Sequence, residues 1–154
     1  MAKPRWLDER EQRLWQGYLH LNQDLMAVLE QQLAHESGLS GADYRVLHPL
    51  SQAPDGLLRA RDLGTEIGWD RSRLSHHLSR MERRGLVARE ECVEDARGLM
   101  VRLTKVGRRA IEEAAPAHAE TVQRYFFDQL SKHELETMAA VFDRVLDNLK
   151  REKP

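Results

Sequence analysis

The 154-residue sequence contains one cysteine, Cys92, which excludes an intrachain disulfide. Aromatic residues make up only 6% of it, so a core must be built from Leu, Val, Ile and Ala. No apolar run approaches the roughly 20 residues that a membrane span needs, and the opening MAKPRWLDEREQR holds no apolar signal-peptide core. Repeats and low-complexity segments are absent. The expectation is a cytoplasmic protein with no membrane partner. Neither a Cys-x-x-Cys nor a His-x-x-x-His spacing occurs among the seven histidines, so no metal or other cofactor is expected. The adjacent His76 and His77 would point about 100° apart on a helix and could not easily share an ion.

The residues that are present, 41% hydrophobic and 32% charged, fit a soluble globular chain. The length fits one domain, or one compact unit with two lobes. A net charge of −1 argues at first against a nucleic-acid partner, but the charge is unevenly distributed. Residues 57–109 hold 13 Arg and Lys against 8 acids, a surplus of +5, and the 11 bases and 17 acids elsewhere leave −6. A basic module on an acidic support is the electrostatic footprint of a DNA-binding lobe.

Within that module, Leu74, Leu78 and Met81 recur at i, i+4 and i+7, which predicts a helix over 70–84 with one inward stripe. Asp70 is its expected N-cap. The opposite face carries Ser72, Arg73, His76, Ser79, Arg80 and Arg83 with no carboxylate among them. Ser75 and His77 join these six as candidate DNA contacts. Such a donor-rich face suits the major groove, whose guanine edges and flanking phosphates accept hydrogen bonds; a solvated basic face is the plainer alternative. The neighbourhood favours DNA. Upstream, Arg61–Ile67 reads as a short helix with Leu63 and Ile67 inward, stopped by Gly68. Helix, tight turn and helix make a helix-turn-helix. Downstream, 86–89 and 99–103 are strand candidates around the polar turn 94–98. That forms a wing over 90–100, with Arg97 placed to reach a minor groove and Asp95 to hold Arg97.

These residues resemble the MarR family of winged helix-turn-helix regulators. The resemblance is carried by Leu78-x-x-Met81-Glu82-x-x-Gly85-Leu86-Val87-x-Arg89, then Asp95-x-Arg97-Gly98, then Leu103-Thr104-x-x-Gly107, and the chain lengths on both sides also fit. It implies a mainly α fold with a small β-hairpin wing: a winged helix-turn-helix lobe, residues 37–107, and a helical dimerisation region, residues 1–36 and 108–154. It further implies a homodimer on double-stranded DNA at a near-palindromic operator. A repressor released by a small aromatic or phenolic effector is the expected activity. The family places an effector pocket where the first, second and fifth helices meet the DNA lobe, which makes Trp15, Tyr18, Tyr44 and His48 the candidates by helix position. Ordinary core or dimer residues are the alternative for all four.

The flanks read as helices. Leu14, Tyr18, Leu21, Leu25, Val28 and Leu29 give a long pattern over 7–34, weakened at Gly17 by about 1 kcal/mol relative to Ala. Ser40-x-x-Asp43 offers a capping box for a helix ending near Ser51, which Pro49 should bend or shorten. Thr104 caps a helix running towards Leu130 that Pro116 should kink. Ser131-x-x-Glu134 caps the last helix, whose apolar stripe Leu135, Met138, Val141, Phe142, Val145 and Leu149 needs a covering surface. A partner subunit is the expected one. Two other readings remain: a winged helix that binds protein rather than DNA, and a DNA binder that answers to no effector. No catalytic constellation stands out, and the protein is not expected to be an enzyme. Cys92 lies among acids, which would not activate its thiol.

Overall fold

The computed structural model describes residues 1–91 and 98–153. In chain order its elements are α1 (Glu9–Ser37), α2 (Gly41–Gln52), β1 (Leu57–Arg59), α3 (Ala60–Ile67), α4 (Arg71–Arg83), β2 (Val87–Glu91), β3 (Leu99–Leu103), α5 (Lys105–Tyr125) and α6 (Lys132–Arg151). Short 3-10 turns precede β1 and follow α5. The fold is mainly α with a small antiparallel sheet, as the sequence pattern predicts. The chain forms two units, residues 1–118 and 119–154.

In the first unit, polar caps start α1, α2 and α4, and apolar spacing aims them. Asp8 and Glu11 form a capping box on α1, and Ser40 and Asp43 form one on α2. Asp70 accepts the Arg73 N–H at 2.8 Å to start α4. Gly68, in the left-handed region at φ 72°, ends α3 and lets the chain turn into α4. The inward stripes meet in one core: Leu33 of α1, Val46, Leu47 and Leu50 of α2, Leu63 and Ile67 of α3, Leu74, Leu78 and Met81 of α4, Val87 and Val101 of the sheet, and Ile111 of α5. Only the C-terminal part of α1 is buried. Its earlier apolar residues, including Leu14, Trp15, Tyr18 and Leu21, are exposed.

The sheet has order β1-β3-β2. β2 and β3 are the expected hairpin strands, paired from Val87↔Leu103 to Glu91↔Leu99. β1 is an addition to the sequence reading, pairing Leu57↔Arg102 through Arg59↔Met100. Three residues are too few for periodicity to register, and the basic run from Arg59 hides them. The expected wing tip, with Cys92, Asp95 and Arg97, lies outside the described residues.

Pro49 and Pro116 both fall inside helices. α2 continues through Pro49 to Gln52, and α5 continues through Pro116 to end at Tyr125, short of the expected Leu130. In the second unit, Ser131 and Glu134 form the expected capping box on α6. No residue of α6 is buried, and Leu135, Val141, Phe142, Val145, Leu146 and Leu149 are all exposed.

The entry to α5 is tightly built. The Thr104 hydroxyl donates to the Gly85 and Leu86 carbonyls at 2.6 and 3.0 Å and accepts the Gly107 N–H at 3.0 Å. A Cβ on Gly107 would run into the Leu86 carbonyl oxygen and come within 2.8 Å of a Leu103 methyl. Gly107→Ala should therefore destabilise the first unit by about 1–3 kcal/mol, the usual range for overpacking, measured as a lower urea midpoint with an unchanged slope.

Candidate nucleic-acid interface

The site is built on α4. Leu74, His77, Leu78 and Met81 are its buried residues. Ser72, Arg73, Ser75, His76, Arg80 and Arg83 are exposed, and Ser79 is half-buried. One face therefore carries three guanidinium groups, an imidazole and two free-standing serines. Glu82, the one acid within the helix, is tied sideways to β2: its carboxylate accepts the Arg89 backbone N–H at 2.9 Å and the Arg89 guanidinium at 3.1 Å. Those bonds hold the Glu82 carboxyl below the usual carboxylate range. The same guanidinium donates to the Ser79 hydroxyl at 2.9 Å. Ser79 thus fixes β2 to α4 and is less free than Ser72 or Ser75.

His77 departs from the sequence expectation. It is 7% exposed and points into the core rather than outward with His76. Its position completes the stripe 74, 77, 78, 81, so helical geometry sends it inward with the leucines. There its Nε2 lies 2.9 Å from Oδ1 of Asp43, a carboxylate only 1% exposed. Asp43 Oδ2 accepts the Ser40 N–H at 2.9 Å and the Arg84 guanidinium at 2.7 Å. Burial alone would raise the Asp43 carboxyl, but the Ser40 N–H, Arg84 and His77 together bring it below its ordinary value. Burial lowers His77, and Arg80 and Arg84 add to the effect, outweighing the pull of Asp43.

Two arginines of the exposed face rest on this buried layer. Arg80 Nη2 lies 3.1 Å from His77 Nδ1. The Arg73 guanidinium stacks 4.3 Å from the centre of the Trp69 ring, and the His77 ring meets Trp69 edge-on at 5.5 Å. Asp43, Trp69, Arg84 and Arg89 do not stand among the residues expected at the site from sequence. Asp43 had a legible signal, since it precedes Leu47 and Leu50 by four and seven residues and so lies on the inward stripe of α2.

The four effector-pocket candidates form two separate pairs. Trp15 stacks on Tyr18 at 5.6 Å, and each is 51% exposed on α1. Tyr44 stacks on His48 at 5.9 Å and meets His118 of α5 at 4.1 Å. No ring contact joins the pairs among the described residues. His118 Nδ1 is buried and has no hydrogen-bond partner among the described residues. Burial, then the proximity of His48, lowers its pKa. Among the described residues, no group of three or more His, Cys, Asp or Glu could hold a metal ion, and no helix is long and apolar enough to cross a membrane.

A family model described as the MarR family matches residues 37–98. Among solved structures, AbsC, a MarR family transcriptional regulator from Streptomyces coelicolor, is 36% identical over 97% of this chain and 100% of its own, with a TM-score of 0.91. Sco3205, a MarR family transcriptional regulator from the same organism solved in complex with DNA, is 32% identical over 97% of this chain and 93% of its own, also at 0.91. The PcaV transcriptional regulator from the same organism, solved with its natural ligand, is 26% identical over 94% of this chain and 98% of its own, at 0.70. Comparison with curated proteins gave no match.

The buried layer generates two predictions. Asp43→Ala leaves His77 and Arg84 without their shared acceptor. It should destabilise the first unit by about 2–3 kcal/mol, limited because Arg84 can turn to water; urea denaturation measures the loss. The pH dependence has a definite sign. His77 and His118 both stay neutral in the fold to lower pH than in the unfolded chain. Below about pH 6.5 the unfolded chain takes up protons that the folded chain does not, so stability falls. The contribution of Asp43 is full above the ordinary carboxylate range and is lost as pH drops through its lowered folded value. Urea midpoints should accordingly fall between about pH 7.5 and about pH 5.5, and less so in a His77→Gln variant.

Proposed function

The chain belongs to the MarR family of transcriptional regulators, and from that premise we propose that it binds double-stranded operator DNA as a homodimer. In this reading α4 enters the major groove, and the wing, with Asp95 and Arg97, meets the adjacent minor groove. The observation that carries it is the exposed face of α4: Ser72, Arg73, Ser75, His76, Arg80 and Arg83 present donors on one side, while Leu74, Leu78 and Met81 lock the other side into the core. The Arg89 bonds to Ser79 and Glu82 support the wing and the helix acting as one reading head. His77, turned inward, is not among the proposed contacts.

The dimerisation region is residues 1–36 and 108–154, and the DNA lobe is residues 37–107. The exposed apolar residues of the N-terminal part of α1 and of α6 support that assignment. Trp15 and Tyr18 belong with this surface. The effector is a small aromatic or phenolic molecule, and Tyr44, His48 and His118 are the residues proposed to receive it. The buried Nδ1 of His118, without a hydrogen-bond partner among the described residues and beside the Tyr44 ring, supports a ligand that combines an aromatic face with a group able to hydrogen-bond an imidazole nitrogen. The protein acts in the cytoplasm as a repressor and performs no catalysis of its own.

Selecting bound duplexes from a random pool tests the reading. A near-palindrome should emerge with half-sites about one helical turn apart, and affinity should fall steeply with salt as Arg and Lys displace counterions. A flat salt response, or no bound duplex, favours the winged helix as a protein-interaction module. Arg73→Ala should cost about 1–3 kcal/mol and relax preference at one base position, whereas Arg97→Ala should weaken binding across sequences. Sedimentation should show a dimer at micromolar concentration, and a stable folded monomer would overturn the assembly.

A further inference from the structure

We propose that His77 is a positioning residue for DNA recognition: a buried imidazole that carries the fixed orientation of Asp43 out to Arg80 on the reading face of α4. The inference rests on the DNA-binding reading above.

The chemistry of the partners fixes the tautomer. A guanidinium has donors only. Nδ1 of His77, 3.1 Å from Arg80 Nη2, must therefore be the acceptor. The ring proton then sits on Nε2 and donates to Asp43 Oδ1 at 2.9 Å. Asp43 is itself immobilised by the Ser40 N–H and by Arg84, and Trp69 braces the imidazole edge-on. The chain from α2 backbone to Asp43, to the imidazole, to Arg80 consists of directional bonds. Every member but the last is fixed inside the core.

An arginine side chain loses rotamer freedom when it is held against a base or phosphate. Holding it beforehand reduces the ordering that binding must supply. In its charged form His77 would place an N–H on Nδ1 against the donors of Arg80, and the hold would be lost. Arg73, stacked on Trp69 above the same layer, is pre-set by packing rather than by a hydrogen bond.

The two bonds of His77 can be separated by substitution. Gln reaches the Nε2 position and keeps a donor for Asp43, but offers nothing at the Nδ1 position. Asn offers an acceptor near Nδ1 and cannot reach Asp43. The experiment measures binding of the full-length protein to a duplex selected from a random pool, and to its single-base variants. The proteins are wild type, Arg80→Ala, His77→Gln, His77→Asn and the Gln and Asn changes each combined with Arg80→Ala.

The expected result is that His77→Gln weakens binding about fivefold, the worth of one ordinary hydrogen bond. It should relax the same base preference that Arg80→Ala relaxes. In the Arg80→Ala background it should add nothing. His77→Asn, which retains an acceptor for Arg80 but not the tie to Asp43, should keep more of that preference than His77→Gln while lowering the urea midpoint. A purely structural histidine gives the opposite pattern: losses that add in the double variants, and Asn no better than Gln. That outcome overturns the proposal and leaves the DNA reading standing. An Arg80→Ala variant that binds like wild type also overturns it, because Arg80 then has no contact to be positioned for. Failure of the wild type to bind any duplex removes the DNA reading, and the proposal falls with it.

Discussion

The first unit depends on one buried carboxylate. Asp43 cannot be taken from water without partners for both oxygens. It has them from three directions: its own cap at Ser40, the imidazole of His77 and the guanidinium of Arg84. Measured against well-packed apolar residues of equal volume, such an ion pair adds little net stability. It adds direction instead. Leucines at 74 and 78 hold α4 against the core but tolerate small rotations about its axis. A 2.9 Å bond to an imidazole on the same stripe is far less tolerant of them. Because Arg84 follows the last residue of α4 and also binds Asp43, the far end of the helix is pinned to the same atom group.

A second set of bonds ties the sheet to this helix. Arg89 of β2 reaches back to Ser79 and Glu82, so strand and helix share a guanidinium. Thr104 holds the end of β3 to the Gly85 and Leu86 carbonyls that follow α4. Gly107 is then the residue that lets α5 start against Leu86 with no side chain between them. These are the residues that the family pattern singles out, and their geometry gives the physical reason. Glu82 and Arg89 join helix to strand, and Thr104 and Gly107 join strand to the next helix. The result is that α4, β2 and β3 are tied to one another by directional bonds.

Much of this was legible in the sequence, and the parts that were not share a cause. The helices, their caps at Ser40, Asp70, Thr104 and Ser131, and the strand pair around the wing all follow from local pattern: i, i+3, i+4 spacing, an oxygen-bearing side chain before it, Gly after it. The exposed face of α4 follows from the same periodicity. His77 did not, because counting only apolar residues leaves it out of a stripe that it completes. Asp43 was read as a short capping acid, which it is, but its bonds to residues 34 and 41 positions later lie beyond any local rule. β1 was invisible for a different reason, since three residues carry no period and owe their strand state to the β3 edge. Pro49 was expected to bend or shorten its helix and Pro116 to kink its helix; neither ends its helix, since α2 runs on to Gln52 and α5 to Tyr125.

Helix α2 has two different working sides. Successive residues on a helix point about 100° apart, so Asp43 turns towards α4 while Tyr44 turns towards His118. Under the proposed reading, one side of α2 would touch the effector and the other is bonded to the reading helix. A ligand shifts an equilibrium only by its differential affinity for two states. An effector at Tyr44 and His118 can therefore act on DNA affinity only if it prefers an arrangement of α2 different from the one that DNA prefers. The Asp43 bonds make such a difference consequential. They are directional and buried, and a displaced α2 must either drag His77 and Arg84 along or leave a carboxylate unpaired in the core, which is costly. By linkage, DNA bound to the undisplaced arrangement must weaken effector binding by the same factor.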